Sequence, residues 1–354
     1  MFKEHYHIIG VMSGTSLDGI DLAELHFSII NGKWRFEIQK AETIVYPPYW
    51  LNKLKKALTF SEKELENLNI EYTQFLGKTI NLFIQNNQLS ALDAVCSHGH
   101  TILHQPQKGV TLQIGNLPKL AKIIHQKVVC DFRKQDVNLG GQGAPLVPIG
   151  DKILFSDFDF CLNLGGFSNV SLEEKGKRIA FDISPVNTVL NFYANQLGFE
   201  YDNQGKIARS GSLNLALFEE LNQLTYYQEK PPKSLGMEFV NETILPLIEK
   251  HAITIAAKLH TFVEHIAFQI ALALAEQNGK MLITGGGAYH EFLINRIQFY
   301  LPNLEIIIPD KKTLEFKEAL IFGLLGVLKM RNEINVLSSV TGAKQNHSSG
   351  IIFN

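Results

Sequence analysis

The strongest constraint on the fold is a strand–turn–strand pattern, rich in small residues, that occurs near the N-terminus and again in the middle of the chain. The first copy is an apolar strand at 7–12 that runs into SGTSLDG at 13–19 and resumes at 20–23. The second copy is NLGGFSNVS at 163–171, again between strand-like segments. Because the two copies lie roughly one domain length apart, they predict a duplicated fold.

Both turns have the composition of an anion-binding loop. Small residues let an anion approach the backbone, and successive N–H groups at a bend form an anion-binding nest. In the first turn the hydroxyls of Thr15 and Ser16 add donors, and Asp18 and Asp21 could orient a divalent metal ion through water. An ordinary hairpin turn is the alternative for either turn taken alone.

A third glycine turn, MLITGGGA at 281–288, leads from a strand into the helical pattern of 291–300. None of the three turns is a P-loop or a dinucleotide-binding fingerprint. Together they favour a duplicated nucleotide-binding fold that closes on a triphosphate.

The composition fits a soluble enzyme without a nucleic-acid or membrane partner. The 354 residues suffice for two domains, and the net charge of −2 offers no basic surface for nucleic acid. No apolar run reaches membrane-spanning length without a charge, and the first ten residues are too polar for a signal peptide. Cys96, Cys130 and Cys161 form no CxxC motif, so we expect buried thiols in a cytoplasmic protein.

Strands and helices are predicted to alternate along the chain. The pattern predicts a strand at 34–45, a helix at 61–87 and a strand beginning at 94–96, and this order recurs from 158 onward. A long helix at 256–277 carries an apolar face typical of a core helix. The composition of 138–148, rich in Gly, Gln and Pro, predicts a domain boundary there.

The chain resembles the anhydro-N-acetylmuramic acid kinases, members of the sugar kinase, Hsp70 and actin superfamily. One segment departs from the family pattern: where the family usually reads FDxGPGN, residues 181–187 read FDISPVN, so both glycines are replaced. The matching motifs are GVMSGTSLDGID (10–21), SHGHT (97–101), TLQIGN (111–116), DFRKQD (131–136), GGQGAPLVP (140–148), NLGGFSNVS (163–171), PPKSLG (231–236), ITGGGA (283–288) and SSVTGA (338–343).

The resemblance implies an α/β fold with two ribonuclease-H-like (actin-like ATPase) domains and a cleft between them. Residues 1–140 are predicted to form the N-terminal domain, rejoined by the C-terminal tail at 336–354. Residues 141–335 are predicted to form the C-terminal, nucleotide-binding domain. The resemblance also implies a homodimer.

By the same resemblance the chain is an ATP-dependent kinase of cell-wall recycling. Such an enzyme opens 1,6-anhydro-N-acetylmuramic acid with water and phosphorylates O6, giving N-acetylmuramic acid 6-phosphate. Ordinary glycoside hydrolysis needs a second carboxyl to protonate the leaving oxygen. Here phosphorus captures that oxygen, so one base is enough, and the family's catalytic aspartate corresponds to Asp182.

The other site residues follow from the same motifs. Asp131, Arg133 and Asp136 are either a structural ion-pair cluster or a group that holds sugar hydroxyls and a carboxylate. Asp18 and Asp21 are the predicted Mg²⁺ residues. The residues predicted to bind ATP are Gly14, Thr15, Ser16, Leu17, Asp18, Gly19, Ile20, Asp21, Gly165, Gly166, Gly285, Gly286 and Gly287. Those predicted to bind the sugar are His98, Asp131, Arg133, Gln142, Asn187 and Glu318.

Two alternative functions stay open at this point. One is a related kinase for a different anhydro or amino sugar, because Val186 replaces a family glycine beside the predicted base and could crowd the sugar. The other is a catalytically silent protein that senses a nucleotide or a sugar. The presence of Asp182 and of all three glycine turns argues against the silent protein.

Overall fold

The computed structural model describes residues 2–14, 17–274 and 278–354. Thr15, Ser16 and the predicted helical residues 275–277 lie outside the described residues. The chain divides into two compact units, Met1–Phe155 with Phe316–Asn354 as unit 1, and Ser156–Glu315 as unit 2.

Each unit is built on one sheet. Unit 1 has the strand order β12-β6-β4-β1-β2-β3, with β5 paired to β4, and unit 2 has the order β11-β10-β7-β8-β9. The strands of the described chain are β1 (His5–Ser13), β2 (Ile20–Ile30), β3 (Lys33–Ile44), β4 (Ala94–Gln105), β5 (Val110–Ile114), β6 (Val128–Cys130), β7 (Phe160–Leu164), β8 (Phe167–Glu174), β9 (Lys177–Pro185), β10 (Gly279–Thr284), β11 (Leu304–Ile307) and β12 (Ile351–Phe353).

The two sheets share one topology. In unit 1, β1, β2 and β3 form an antiparallel meander, and β4 and then β6 add in parallel beside β1. In unit 2, β7, β8 and β9 form the meander, and β10 and then β11 add in parallel beside β7. This order is that of a ribonuclease-H-like domain, so the predicted α/β duplication is confirmed.

Helices connect and cover the strands. They are α1 (Pro48–Lys56), α2 (Glu62–Asn86), α3 (Lys119–Ile124), α4 (Lys134–Asn138), α5 (Val147–Leu154), α6 (Asn187–Gln196), α7 (Lys206–Ser210), α8 (Leu215–Asn222), α9 (Thr225–Gln228), α10 (Met237–Phe239), α11 (Leu245–Glu249), α12 (Ile255–Ala273), α13 (Glu291–Tyr300), α14 (Lys311–Met330) and α15 (Ser338–Thr341). A π-helical turn, Val240–Ile244, joins α10 to α11.

Local sequence signals explain where the predicted elements begin and end. Helix α2 begins with a capping box, in which the Ser61 hydroxyl accepts from the Glu64 N–H and the Glu64 carboxylate accepts from the Ser61 N–H. The predicted helix at 291–300 is α13, and the predicted long core helix is α12. The strand predicted at 34–45 is β3. These predictions are confirmed within a residue or two over the described part.

Each unit has its own hydrophobic core. In unit 1, Ile9 and Val11 of β1 and Leu22 of β2 pack with the apolar face of α2. In unit 2, the core lies between the sheet and α12, whose Phe262 and Ile266 are fully buried. Each sheet is therefore packed on one face against helices of its own unit.

The ends of the two units differ from the domain limits suggested by composition. The glycine-rich loop at 139–143 is tied into unit 1, because the Gln142 N–H donates to the Thr341 carbonyl at 2.8 Å. Helix α5 also belongs to unit 1, where Lys317 of α14 forms an ion pair with Asp151 at 2.7 Å. Glycine and proline mark a loop here, and unit 1 continues to Phe155.

No described helix is long and apolar enough to cross a membrane. The three cysteines are free thiols and all are buried. Burial raises the pKa of the Cys130 thiol to about 12, with the charge of Asp131 adding to the effect, so this thiol is unreactive at neutral pH.

Candidate active site

The first predicted loop lies between β1 and β2, and Gly14, Leu17, Asp18 and Gly19 are its described residues. The Leu17 N–H donates to the Gly14 carbonyl at 3.3 Å, and Leu17 has a φ of 64°. Left-handed backbone is uncommon for a residue with a side chain, and such residues cluster at ligand sites. A Cβ at Gly19 would lie 2.6 Å from the Ile44 carbonyl oxygen, so the loop packs against the end of β3. Ile20, the next residue, is buried as the first residue of β2.

Two acidic residues follow this bend. Asp18 is exposed, and Asp21 of β2 accepts a hydrogen bond from the Thr43 hydroxyl at 2.6 Å. The Glu318 side chain on α14 is exposed at one side and crowded by protein atoms at the other. This crowding raises the pKa of its carboxyl, the charge of Arg133 opposes the shift, and the charge of Asp21 adds to it. Neighbouring carboxylates of this kind are oxygen donors that suit Mg²⁺.

His98 and Arg133 form a directed pair in unit 1. The Arg133 Nε–H donates to His98 Nε2 at 2.8 Å, so the His98 proton is assigned to Nδ1, which donates to the Gly99 carbonyl at 2.9 Å. Burial, and then the charge of Arg133, hold the pKa of His98 well below its usual range. The ring packs 4.6 Å from that of Phe322. His98 is therefore a neutral acceptor that orients the guanidinium.

Arg133 stays cationic near neutral pH. Burial lowers its pKa to about 10, while the nearby charge of Glu318 opposes that shift. Its Nη1 donates to the Gly143 carbonyl at 2.7 Å. Gln142, which precedes Gly143, is exposed. Of the six predicted sugar-binding residues, unit 1 thus brings His98, Arg133 and Glu318 together. Gln142 adjoins Gly143, whose carbonyl binds Arg133.

Asp131 and Asp136 have different environments. Asp131 has a φ of 59° and is half-buried, and desolvation raises its pKa. Asp136 is fully buried and accepts hydrogen bonds at 2.7 Å from both the Gly143 N–H and the Thr341 hydroxyl. For Asp136 the structural alternative therefore applies, because its carboxylate ties the glycine loop to the C-terminal segment.

Asp182 lies on β9 of unit 2 at a β-bulge. Ser168 pairs with Ser184 and Asn169 pairs with Asp182, so Ile183 is the extra residue in the ladder. A bulge re-aims the neighbouring side chain and is frequent beside active sites. The sequence alone placed Asp182 at the end of a strand, and the structure places it within β9, three residues before its end.

The PPKSLG segment at 231–236 forms two hydrogen bonds with Asp182. The Asp182 N–H donates to the Lys233 carbonyl at 3.1 Å, and the Leu235 N–H donates to Asp182 Oδ2 at 2.9 Å. The Tyr226 hydroxyl donates to the Asp182 carbonyl at 2.7 Å. Burial raises the pKa of the Asp182 carboxyl, and the Leu235 N–H acts in the opposite direction. A carboxylate with these properties is suited to accept a proton.

The Gly165–Gly166 hairpin is docked on the start of α6. The Gly166 carbonyl accepts from the Val186 N–H at 2.8 Å, and the Gly165 carbonyl accepts from the Asn187 N–H at 3.3 Å. The Asn187 amide donates to the Leu164 carbonyl at 3.3 Å. Asn187 thus fixes this hairpin, so the structure supplies a role for it besides contact with a sugar.

The third turn, Gly285–Gly287, packs against the end of β7. Gly285 has a φ of 85°, and a Cβ there would lie 2.7 Å from the Leu164 carbonyl oxygen. A Cβ at Gly287 would lie 2.7 Å from the Leu164 Cβ, whereas at Gly286 the nearest atom, Asn187 Nδ2, is 3.6 Å away. Packing within unit 2 therefore explains two of the three glycines, and Gly286 is the one with open space beside it.

The segment that departs from the family pattern points into unit 2. Ser184 and Val186 are fully buried. The Ser184 N–H donates to the Ser168 hydroxyl, which donates to the Ser184 carbonyl, both at 3.0 Å. Val186 packs in the hydrophobic core. Neither side chain is at a surface where it could crowd a sugar.

Sequence reasoning missed the residues that hold Asp182. The motif PPKSLG carried a signal, since it was recognised without a role, but Tyr226 had none. It also missed a buried network in unit 1, in which the Ser13 hydroxyl contacts His100 Nδ1 at 2.8 Å and the Tyr46 hydroxyl contacts that of Tyr72 at 2.6 Å. Burial lowers the pKa of His100 to about 4, so His100 is neutral.

Two ribonuclease-H-like sheets, each with a glycine turn after its first strand, define the actin-like ATPase class, which includes sugar kinases. Residues 6–354 match the sequence model of the family described as anhydro-N-acetylmuramic acid kinase. The chain belongs to this family, so the sequence-based assignment is confirmed.

Curated relatives agree over the full length. An anhydro-N-acetylmuramic acid kinase of Mannheimia succiniciproducens is 33% identical and covers 100% of both chains. One from Pseudomonas fluorescens is 34% identical over 98% of each chain. Among solved structures, the ADPNP-bound activator of 2-hydroxyisocaproyl-CoA dehydratase from Clostridium difficile matches with a TM-score of 0.41 and 13% identity, covering 92% of this chain and 96% of that one. A similarity of that size carries no argument about function.

Proposed function

We propose that this chain uses ATP and water to convert 1,6-anhydro-N-acetylmuramic acid to N-acetylmuramic acid 6-phosphate. Membership of the kinase family supports the reaction class, a phosphoryl transfer to an alcohol oxygen. The observation that carries the mechanism is the Asp182 carboxyl, half-buried, raised in pKa and fixed by the Leu235 N–H.

Asp182 is the proposed general base. Its free oxygen accepts the proton of a water molecule that attacks the anomeric carbon, and the C1–O6 bond breaks. The leaving O6 bonds to the γ-phosphorus of ATP as the bond between that phosphorus and the β,γ-bridging oxygen breaks and ADP leaves, so no acid is needed to protonate O6. The Leu235 N–H occupies one oxygen of the carboxylate and leaves the other to act.

The sugar is proposed to bind through Arg133, His98, Asp131 and Gln142, with Glu318 beside them. Arg133 suits the carboxylate of a muramic acid, because a guanidinium binds carboxylates in bidentate geometry. Neutral His98 holds the Arg133 Nε–H, which directs the remaining donors of the guanidinium. Asn187, the sixth predicted sugar-binding residue, stays a prediction.

ATP is proposed to bind at the three glycine turns. The backbone of the 14–19 loop and of Gly165–Gly166 would position the phosphates, and the open side of Gly286 would face the adenosine. The carboxylates of Asp18 and Asp21 fit Mg²⁺ as oxygen donors acting through water, and the ion would neutralise phosphate charge.

The cellular setting is proposed as well. We propose that the protein is a homodimer and that it works in peptidoglycan recycling, as its family membership suggests. The three free thiols suit the reducing cytoplasm. The alternative kinase loses its main support, because the Val186 side chain is buried in the core of unit 2.

The deciding experiment follows the oxygen of water. The protein is given ATP, Mg²⁺ and the anhydro sugar in ¹⁸O-water, and the quenched product is analysed by mass spectrometry. We expect one ¹⁸O at C1 and none in the phosphate. Label-free C1 would overturn the hydrolytic mechanism, and turnover of a reducing amino sugar instead would favour the alternative kinase. A short quench controls for exchange at C1.

A further inference from the structure

A cluster of metal-binding side chains lies on the sheet of unit 1, apart from every residue assigned above. His7 of β1 and His26 of β2 are directly paired across the antiparallel ladder, and Glu24 lies two residues before His26. Residues two apart on a strand share a face, so the three side chains meet on one face. Within the described residues, this is the group of three His, Cys, Asp or Glu donors that could hold a metal ion.

The distances between the donor atoms suit a tetrahedral cation. His7 Nε2 lies 2.9 Å from Glu24 Oε1, and His26 Nε2 lies 3.7 Å from the same oxygen. The three donor atoms all lie within 4.8 Å of one another. Bonds of about 2.0–2.1 Å to Zn²⁺ in tetrahedral geometry require donors about 3.3 Å apart. Small rotations of the two imidazoles would bring the donors to that separation.

Burial and access also favour a cation. Glu24 is only 8% exposed, and a buried carboxylate is costly without a positive partner. Of the two imidazoles, only that of His7 lies within hydrogen-bond distance of the carboxylate, at 2.9 Å, and a divalent ion held by all three side chains would balance its charge. A groove open to solvent runs over the site and is lined by His7, His26, Glu37 and Asp93, which gives an ion a path.

The cluster shares a face of the sheet with the core of unit 1. The same face continues along β1 and β2 into Ile9 and Leu22 of the core of unit 1. Glu37 on β3 pairs directly with His26 and lies on this face. Glu37 therefore stands where it could supply a fourth ligand, or a water molecule could fill that position.

We propose that His7, Glu24 and His26 form a binding site for a divalent first-row transition metal, with Zn²⁺ as the preferred ion. Two imidazoles and one carboxylate suit Zn²⁺, Co²⁺ or Ni²⁺ and do not suit Mg²⁺ or Ca²⁺, which take oxygen ligands. The ion would link β1 to β2 near the N-terminal end of β1. This site is independent of the proposed kinase reaction.

The test uses untagged, chelator-treated full-length protein and titrates it with Zn²⁺ in a calorimeter. We expect about one equivalent bound, and a rise in melting temperature with added Zn²⁺. His26→Ala, at an exposed position outside the core, is expected to weaken binding by at least about ten-fold, as is Glu24→Gln. Co²⁺ should give the visible absorption of a tetrahedral nitrogen and oxygen site, and His26→Ala should abolish it.

His5→Ala is the matched control, because His5 is exposed in the same groove and lies outside the cluster. It should bind Zn²⁺ as the wild type does. Wild-type protein that binds well under one equivalent would overturn the proposal. So would His26→Ala and Glu24→Gln variants that remain folded and bind with unchanged affinity, since the metal would then be held elsewhere.

Discussion

The backbone N–H of Leu235 donates a 2.9 Å hydrogen bond to Oδ2 of Asp182, from a residue fifty-three positions away in the chain. A backbone donor has a fixed direction, so it orients the carboxylate while only partly opposing the rise in its pKa caused by burial. The second donor to Asp182, the Tyr226 hydroxyl, contacts its carbonyl and holds the strand. Together these contacts leave the other carboxylate oxygen as the one that we propose accepts the proton.

Replacing Asp182, the proposed base, should lower turnover without weakening ATP binding. Asp182→Asn keeps the shape and removes the basic oxygen, so we expect turnover to fall by about 10² to 10⁴-fold. ATP affinity measured by calorimetry should stay near wild type. Asp157→Asn, at an exposed carboxylate of the same unit, is the control and should retain full turnover. A large loss of ATP affinity with little loss of turnover would contradict the assigned role.

The pH profile should carry the signature of the raised pKa. If Asp182 is the base, it must be ionised to act, so kcat/KM should rise with pH, and the midpoint of the acidic limb should lie above the ordinary aspartate value of about 3.9. Steady-state rates across pH measure this limb. An acidic limb at or below the ordinary value would mean that another group limits the rate.

The same residue should lower stability near neutral pH. A carboxyl whose pKa is raised by folding binds its proton more tightly in the folded state, which stabilises that state at low pH. This contribution is lost as pH rises through the folded-state pKa. We therefore expect Asp182→Asn to melt above the wild type at neutral pH, with a difference that shrinks in acid. Thermal melts at several pH values check the sign.

Two adjacent tyrosines form a matched pair. Tyr226→Phe removes the hydrogen bond to the Asp182 carbonyl, which is worth about 1 kcal/mol, so we expect kcat to fall by about five- to ten-fold with ATP affinity unchanged. The Tyr227 hydroxyl is buried without a hydrogen-bond partner. Tyr227→Phe should leave kcat unchanged and should not lower stability. Equal effects of the two variants would remove Tyr226 as a positioning residue.

Substitutions at two adjacent glycines should have different effects, one on stability and the other on ATP binding. Gly285→Ala places a Cβ against the Leu164 carbonyl at a φ of 85°, and should lower the free energy of unfolding by about 2 kcal/mol or more. Gly286→Ala meets no atom closer than 3.6 Å and should leave stability unchanged. If the open side of Gly286 faces the nucleotide, this variant should weaken ATP binding. Denaturant unfolding and calorimetry measure the two effects, and wild-type ATP affinity in Gly286→Ala would remove the turn from the nucleotide site.

Substitutions at two aspartates of unit 1 should have different effects, one on stability and the other on sugar binding. Asp136→Asn disturbs charged hydrogen bonds in a buried site and should reduce stability by about 2–3 kcal/mol. Asp131→Asn tolerates the left-handed backbone and should keep stability while raising the KM for the sugar. Chemical denaturation and sugar kinetics provide the two readouts. A large loss of stability in Asp131→Asn alone would reverse the assignment.

The amino-acid sequence by itself determined the elements, their duplication and the family. The spacing of apolar residues located α12 and α13, because helix and strand periods are local properties. The order of the motifs was sufficient to place the chain among the anhydro-N-acetylmuramic acid kinases. Asp182 was predicted as the base because it lies within such a motif, and that role stays a prediction.

Only the tertiary structure decided what surrounds those residues. The sequence could not show that Leu235 and Tyr226 hold Asp182, since that contact depends on how a distant segment packs along β9. It suggested that Val186 could crowd the sugar, whereas packing turns this side chain into the core. Gly/Pro composition marked a boundary where the Thr341 carbonyl in fact ties the loop to unit 1. Contacts between residues far apart in sequence depend on the packed fold, and no local pattern records them.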